Sequence, residues 1–259
     1  MVVKSTIKIY GLGWVGKAMQ SLFPHAVVHD PEQGFMNKAK CDVAFVCVPT
    51  PNKQDGSLDT SILEGVVKEA KEDLIIIRST IMPGTCDHLE DKYEKHIVFQ
   101  PEYLGETTAH PLSDQGARPF MIIGGEAENR RKAIEVYQQV YNANVNIRQL
   151  TNLEAEVVKL TENRAIMFKV AQCQELYDAC EAGGVDYYNV RQAVYGDDPR
   201  FDLWFSFVYP NDRGANSKCI PKDVFGWASW AESCGFDPIL TNSMLNYNTR
   251  LIHDGKYSN

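Results

Sequence analysis

Several things are scarce in this sequence of 259 residues. Long apolar runs are one. The longest, at 44–48 and 74–77, fall far short of the roughly 20 residues that cross a bilayer, so no membrane span is expected. Positive charge is another. Lys and Arg number 26 against 34 Asp and Glu, a formal net charge of −8. That balance excludes broad binding to nucleic acid or to an anionic membrane face. It leaves room for an anionic small molecule, which needs only a few local cations. Paired cysteines are missing as well. The seven, at 41, 47, 86, 173, 180, 219 and 234, are odd in number and lack the short spacing of a zinc site or redox dithiol. We expect no metal, and unbridged thiols in a reducing, cytoplasmic setting. Met1-Val2-Val3-Lys4 runs directly into a strand without the pattern of a signal peptide. Internal repeats and low-complexity tracts are absent.

What remains is a chain that is 44% hydrophobic, enough for one large or two modest cores. Apolar strands are expected at 7–10, 26–29, 42–48, 74–77, 96–99, 120–124 and 145–148, with helices at 17–23, 59–72 and 129–141. Asp59 or Thr60 should cap the second of these helices. Strands alternating with helices predict a Rossmann-type, doubly wound parallel sheet. The pattern then changes. Thr151-Asn152-Leu153-Glu154 is a capping box. A helical pattern runs from it to the stop at Gly183-Gly184. Further helices are expected at 186–195, 221–234 and 238–253. The fold class is therefore α/β: a dinucleotide-type domain at 1–149 and an all-helical domain at 150–259 built on a long central helix. That helix offers a face for a homodimer.

Gly11-Leu12-Gly13-Trp14-Val15-Gly16 lies between the first strand and helix. In this G-x-G-x-x-G pattern the first glycine permits a tight turn. The second lets backbone approach a pyrophosphate, and the third lets the helix pack closely. Phosphates then sit on the helix N-terminus. Asp30 ends the second strand, where a carboxylate accepts from ribose hydroxyls and repels a 2′-phosphate. NAD is the expected cofactor. An ordinary glycine turn and an FAD site are the alternatives.

Cys219-Ile220-Pro221-Lys222-Asp223 joins a thiol, an ammonium and a carboxylate. Pro221 suits a first helical turn. A cysteine just ahead of it feels the positive end of the helix dipole, and Lys222 adds to the same effect, so a thiolate forms more readily. Three loops follow strands, where doubly wound sheets bind ligands: Val48-Pro49-Thr50-Pro51, Ser79-Thr80-Ile81-Met82-Pro83-Gly84-Thr85 and Pro101-Glu102-Tyr103-Leu104-Gly105-Glu106. Lys159 and Asn163, four apart, share a helix face.

In order and spacing these segments, with Glu154 and Glu175 of the long helix, resemble the UDP-glucose/GDP-mannose dehydrogenase family over nearly the whole chain. The resemblance implies two successive NAD-linked oxidations of a nucleotide sugar, a UDP-hexose in the first instance, from alcohol through aldehyde to acid. Cys219 would attack the aldehyde. Lys159 and Asn163 would stabilise the oxyanion. Asp223 and Lys222 would manage protons and substrate charge, Thr80 would hold a water, and Glu102 would serve as base for hydrolysis. Glu106, Tyr103 and Leu104 would contact substrate. Pro49, Thr50, Ser79, Thr80 and Glu106 would join the glycine turn in holding the cofactor. Each residue also has a plain reading, as an inert thiol, a solvated charge or a strand terminus. Two departures stand out. Where the family usually has a run such as G-F-G-G-S before the cysteine, this chain has Gly214-Ala215-Asn216-Ser217-Lys218. It also ends about where the family's further nucleotide-binding domain would begin. The competing expectations are a single-step 3-hydroxyacid dehydrogenase of the 6-phosphogluconate dehydrogenase type, which needs no cysteine, and a non-catalytic NAD-binding subunit.

Overall fold

The computed structural model describes residues 5–104, 119–141 and 144–254. They form two compact units, one of residues up to 53 with 58–159, the other of 54–57 with 160 onward.

The first unit is a seven-stranded sheet between helices. Its strands are β1 (Ile7–Tyr10), β2 (Val27–His29), β3 (Val43–Val46), β4 (Leu74–Ile77), β5 (Ile97–Phe99), β6 (Phe120–Gly125) and β7 (Asn146–Leu150), in the order β2-β1-β3-β4-β5-β6-β7. Val-Ala-Phe-Val and Leu-Ile-Ile-Ile in β3 and β4 are buried throughout. Strands covered on both faces read as continuous apolar runs for that reason. One face packs on α1 (Trp14–Leu22) and α4 (Ala127–Tyr137), with Phe45, Ile76 and Val98 at its centre. The other packs on α2 (Ser61–Glu69), α3 (Thr85–Tyr93) and the start of α5 (Asn152–Gly183), around Ala44, Ile75 and Ile77. Each buried Val, Ile or Phe here contributes about 1.5–3 kcal/mol.

Two features differ from expectation. The sheet is mixed, because β6 runs antiparallel to β5 and parallel to β7. Apolar periodicity reports burial and carries no sign for strand direction. Helix α3 was not expected, since only Cys86 and Leu89 of its nine residues are buried and so few apolar positions give a weak helical pattern. Thr60 is the N-cap residue of α2 but makes no side-chain cap bond; Asp59, one residue earlier, accepts at Oδ1 from the Ser61 N–H at 2.9 Å. The capping box of α5 forms as expected. The Thr151 N–H donates to Glu154 Oε2 at 2.8 Å, and the Glu154 N–H donates to Thr151 Oγ1 at 3.2 Å.

The second unit is helical. Helix α5 has 32 residues, about 48 Å of length. Helices α6 (Tyr187–Arg191), α7 (Ile220–Ser233) and α8 (Ile239–Asp254) follow. A π-helical turn over Gln192–Asp197 replaces the end of the expected helix at 186–195. Met167, Val224, Met244 and Leu245 make one core, and Cys173, Tyr187, Tyr195 and Val208 another. No described helix is long and apolar enough to cross a membrane.

Candidate active site

Strand β1 lies between β2 and β3, so the chain reverses its winding direction there. The carboxyl ends of β1 and β3 flank the resulting crevice. Gly11, at the end of β1, has φ +85°, and a Cβ there would stand 2.6 Å from the Cys47 carbonyl oxygen. A Cβ on Gly16 would stand 2.0 Å from the Gly11 oxygen. Packing alone therefore requires both glycines. Gly13 differs. It is the N-cap of α1, and a Cβ there would meet nothing within 4 Å. No described residue uses that space, and a helix N-terminus with such an open side suits an anion. Leu12 is buried, Trp14 is 59% exposed, and Val15 packs against the core beneath.

Asp30 reaches the same turn. Its Oδ2 accepts from the Leu12 N–H at 2.7 Å and from Gln33 Nε2 at 2.9 Å, and its Oδ1 from the Gln33 N–H at 3.2 Å. The Leu12 N–H above all holds this carboxyl below its usual range. A carboxylate offers about four acceptor sites, so capacity remains for a ribose hydroxyl. Gln33, whose Nε2 also donates to the Leu12 carbonyl at 3.1 Å, carries no sequence signal that would single it out.

The loops after β3 and β4 are tied together. Thr50 Oγ1 donates to the Thr80 carbonyl at 2.6 Å, and Ser79 Oγ to the Val48 carbonyl at 2.7 Å. Pro49 is exposed, while Thr50 and Ser79 are buried and Thr80 is half-buried. The far end of the β4 loop is held by Glu156 of α5, which is fully buried. Its carboxylate accepts from the Gly84 and Cys86 N–H groups at 2.5 and 2.8 Å, the first amides of α3. Burial pushes its carboxyl up to about 7 against these stabilising bonds.

After β5, Glu102 meets Arg78. The guanidinium is 1% exposed, pairs with Glu102 Oε2 and donates to the Tyr137 hydroxyl at 3.1 Å. That hydroxyl donates to Gln100 Oε1 at 2.7 Å. Glu102 Oε1 accepts from the Tyr103 and Leu104 N–H groups at 2.6 and 2.7 Å. Removing one partner of such a buried pair costs about 3–5 kcal/mol. The expected base thus has its oxygens committed to a cation and two amides, an arrangement that suits a structural anchor. Tyr103 presents its ring to Lys159, whose Nζ lies 5.6 Å from the ring centroid. Glu106 lies outside the described residues.

In the second unit, Asn163 of α5 meets the start of α7. Its Nδ2 donates to Asp223 Oδ2 at 2.6 Å, and Lys222 Nζ pairs with Asp223 Oδ1 at 2.7 Å. Asp223 is 1% exposed. Cys219 is the N-cap residue of α7, Pro221 sits in the first turn, and the cysteine is exposed. None of the seven cysteines is in a disulfide. The segment before Cys219 is anchored rather than glycine-rich. Asn248 of α8 accepts from the Ala215 N–H at 2.7 Å and donates to its carbonyl at 3.1 Å. Ser217 Oγ accepts from the Ile220 N–H at 3.1 Å. The structure thus brings Asn163, Lys222 and Asp223 together beside the cysteine's helix, and Tyr103 against Lys159. Among the described residues no cluster of three His, Cys, Asp or Glu side chains could hold a metal ion.

Known proteins bear on this arrangement. The model of the UDP-glucose/GDP-mannose dehydrogenase family NAD binding domain matches residues 32–144, and that of its central domain matches 153–250. The chain is 29% identical over 233 residues to a GDP-mannose 6-dehydrogenase of Pseudomonas savastanoi pv. phaseolicola, covering 82% of this chain and 52% of that protein. It is 27% identical over 232 residues to a UDP-glucose 6-dehydrogenase of Pseudomonas aeruginosa, covering 82% and 49%. The chain thus spans about half the length of the curated relatives it matches. The structure of a UDP-glucose dehydrogenase from Pyrobaculum islandicum shares the fold, with a TM-score of 0.79 at 22% identity over 95% of this chain and 68% of that one. Since the two matched domains follow each other in the family's order and fill most of the sequence, the chain belongs to the UDP-glucose/GDP-mannose dehydrogenase family, a family of NAD-binding oxidoreductases.

Proposed function

We propose that the chain oxidises the C6 alcohol of a nucleotide sugar, a UDP-hexose in the first instance, to a carboxylate in two NAD-linked steps. The observation that carries this reading is Cys219, an exposed thiol at the N-cap of α7. A helix N-terminus stabilises a thiolate. NAD, when bound, accepts the hydride in each oxidation. The first turn of α1 and the open side of Gly13 would hold the pyrophosphate. Asp30 would accept from the ribose, and Pro49, Thr50 and Ser79 would complete the cofactor's surroundings.

The Cys219 thiolate adds to the aldehyde carbon, and the carbonyl π bond becomes an alkoxide. Lys159 and Asn163 stabilise that charge. Asp223 keeps Asn163 and Lys222 oriented. Loss of hydride leaves a thioester on Cys219. Water held at Thr80 then attacks the thioester carbon and breaks the carbon–sulfur bond, giving the acid and the thiolate with one proton released to solvent. Tyr103, Leu104, Lys222 and Glu106 would contact the substrate. Glu102, paired with Arg78, shapes the 101–104 segment. Self-association along α5 belongs to the same reading.

The test is a panel of UDP- and GDP-sugars with NAD, counting NADH by nicotinamide absorbance. Two equivalents per sugar, with acid formation lost and NAD affinity kept in Cys219→Ser, are expected. One equivalent that is indifferent to Cys219, or tight NAD binding with no turnover across the panel, would refute the proposal.

A further inference from the structure

The mechanism above uses Lys159 but says nothing of what places it, and the fully buried Arg78 has no part in it. The contacts connect the two. Arg78 follows the all-apolar β4, where a charge is least expected. Its guanidinium fork reaches Glu102 on one side and the Tyr137 hydroxyl on the other. The second oxygen of Glu102 gathers the N–H groups of Tyr103 and Leu104, so the carboxylate fixes the backbone that carries the Tyr103 ring. That ring packs on Phe120, at 5.2 Å between centroids, and faces the ammonium of Lys159. Lys159 itself is 8% exposed. A cation over an aromatic face is held by the ring's quadrupole, and more firmly where water is excluded.

We propose that Arg78 is a positioning residue: through its ion pair with Glu102 it sets the 101–104 segment so that the Tyr103 ring seats the Lys159 ammonium. The importance given to Lys159 rests on the proposed function, whereas the positioning itself does not. An arginine suits this place because its planar fork serves two acceptors at fixed angles, which a lysine cannot do.

The experiment is competitive acetylation of the whole chain with isotope-labelled acetic anhydride, reading Lys159 by mass spectrometry against exposed Lys17 in the same digest. Tyr103→Leu removes the ring and keeps the ion pair. Arg78→Met with Glu102→Gln removes both charges at once and keeps an acceptor for the two amides. Both should raise Lys159 labelling about 2- to 5-fold, the equivalent of losing one cation–π contact. Tyr103→Phe should match the parent. Unchanged labelling in Tyr103→Leu, or a rise there with none in the double variant, overturns the proposal. If circular dichroism shows the double variant unfolded, Arg78→Lys decides by the same reading. Where the parent turns over a nucleotide sugar, the double variant should lower kcat and leave the KM for NAD unchanged. Where the parent gives no NADH with any sugar, the proposed function fails and the labelling still decides the role of Arg78.

Discussion

Replacing Glu156 by Gln should flatten the pH dependence of the first unit's stability between about pH 4.5 and 7. Glu156 is fully buried, and its oxygens cap α3 through the Gly84 and Cys86 amides. Burial outweighs those bonds and raises its carboxyl from 4.5 to about 7. A carboxyl raised in this way binds its proton more tightly in the folded chain than in the unfolded one. Its contribution is therefore fully present below about 4.5. It is lost as pH rises, and is gone above about 7. One unit of difference is worth about 1.4 kcal/mol, so the whole interval amounts to about 3 kcal/mol. Gln cannot ionise; its amide oxygen keeps one of the two N–H bonds, and its NH2 takes the place of the oxygen that accepted the other. The assay is urea unfolding at half-unit steps from pH 4.5 to 8, with amide exchange of residues 85–93 as the local probe. Across the range Glu156→Gln should lose about 3 kcal/mol less than the parent. Parallel curves for the two proteins would refute the argument, for they would mean that Glu156 keeps the same proton affinity folded and unfolded.

Other expectations follow from distances alone. Gly16→Ala places a methyl 2.0 Å from the Gly11 oxygen, so α1 must move. It should cost about 1–3 kcal/mol or more in thermal unfolding, and NAD binding with it. Gly13→Ala, with nothing within 4 Å of the new methyl, should leave the melting temperature near the parent's and weaken NAD alone by calorimetry. Asp30→Ala removes an acceptor from the Leu12 amide and, on the proposed reading, from the ribose, and should weaken NAD by about 1–3 kcal/mol; unchanged affinity would place the ribose elsewhere. Asn248→Leu strands the buried Ala215 N–H and carbonyl, at about 1–3 kcal/mol for each group. It should loosen amide exchange in the loop ahead of Cys219, while Asn248→Asp, which keeps the acceptor, should cost about half as much.

Local pattern carried much of the fold and left specific gaps. The runs of β3 and β4, the glycine turn and the capping box of α5 all lie within a few residues, and each forms where its chemistry requires. What stayed hidden depends on partners far away. Lys8, inside a strand that reads as apolar, is 4% exposed because Glu72 meets it at 2.8 Å and Tyr10 donates to the same carboxylate. Arg78 depends on Tyr137, 59 residues on, and Glu156 on Cys86, 70 residues back. No window of ordinary length contains either pair.

The identity of a site residue does not fix its task. Glu102 stands after β5, where a sequence reader looks for an acid, and it is buried as a catalytic base often is. Its surroundings then decide what it can do. A guanidinium and two amides occupy its oxygens, so it orders backbone. Glu156 looks like any acid on the first turns of a long helix. Burial raises its carboxyl to about 7, so the loop after β4, which it holds, is expected to respond to pH. Residue type and spacing place a carboxylate after a strand or on a helix; the groups it meets there determine whether it anchors, titrates or reacts.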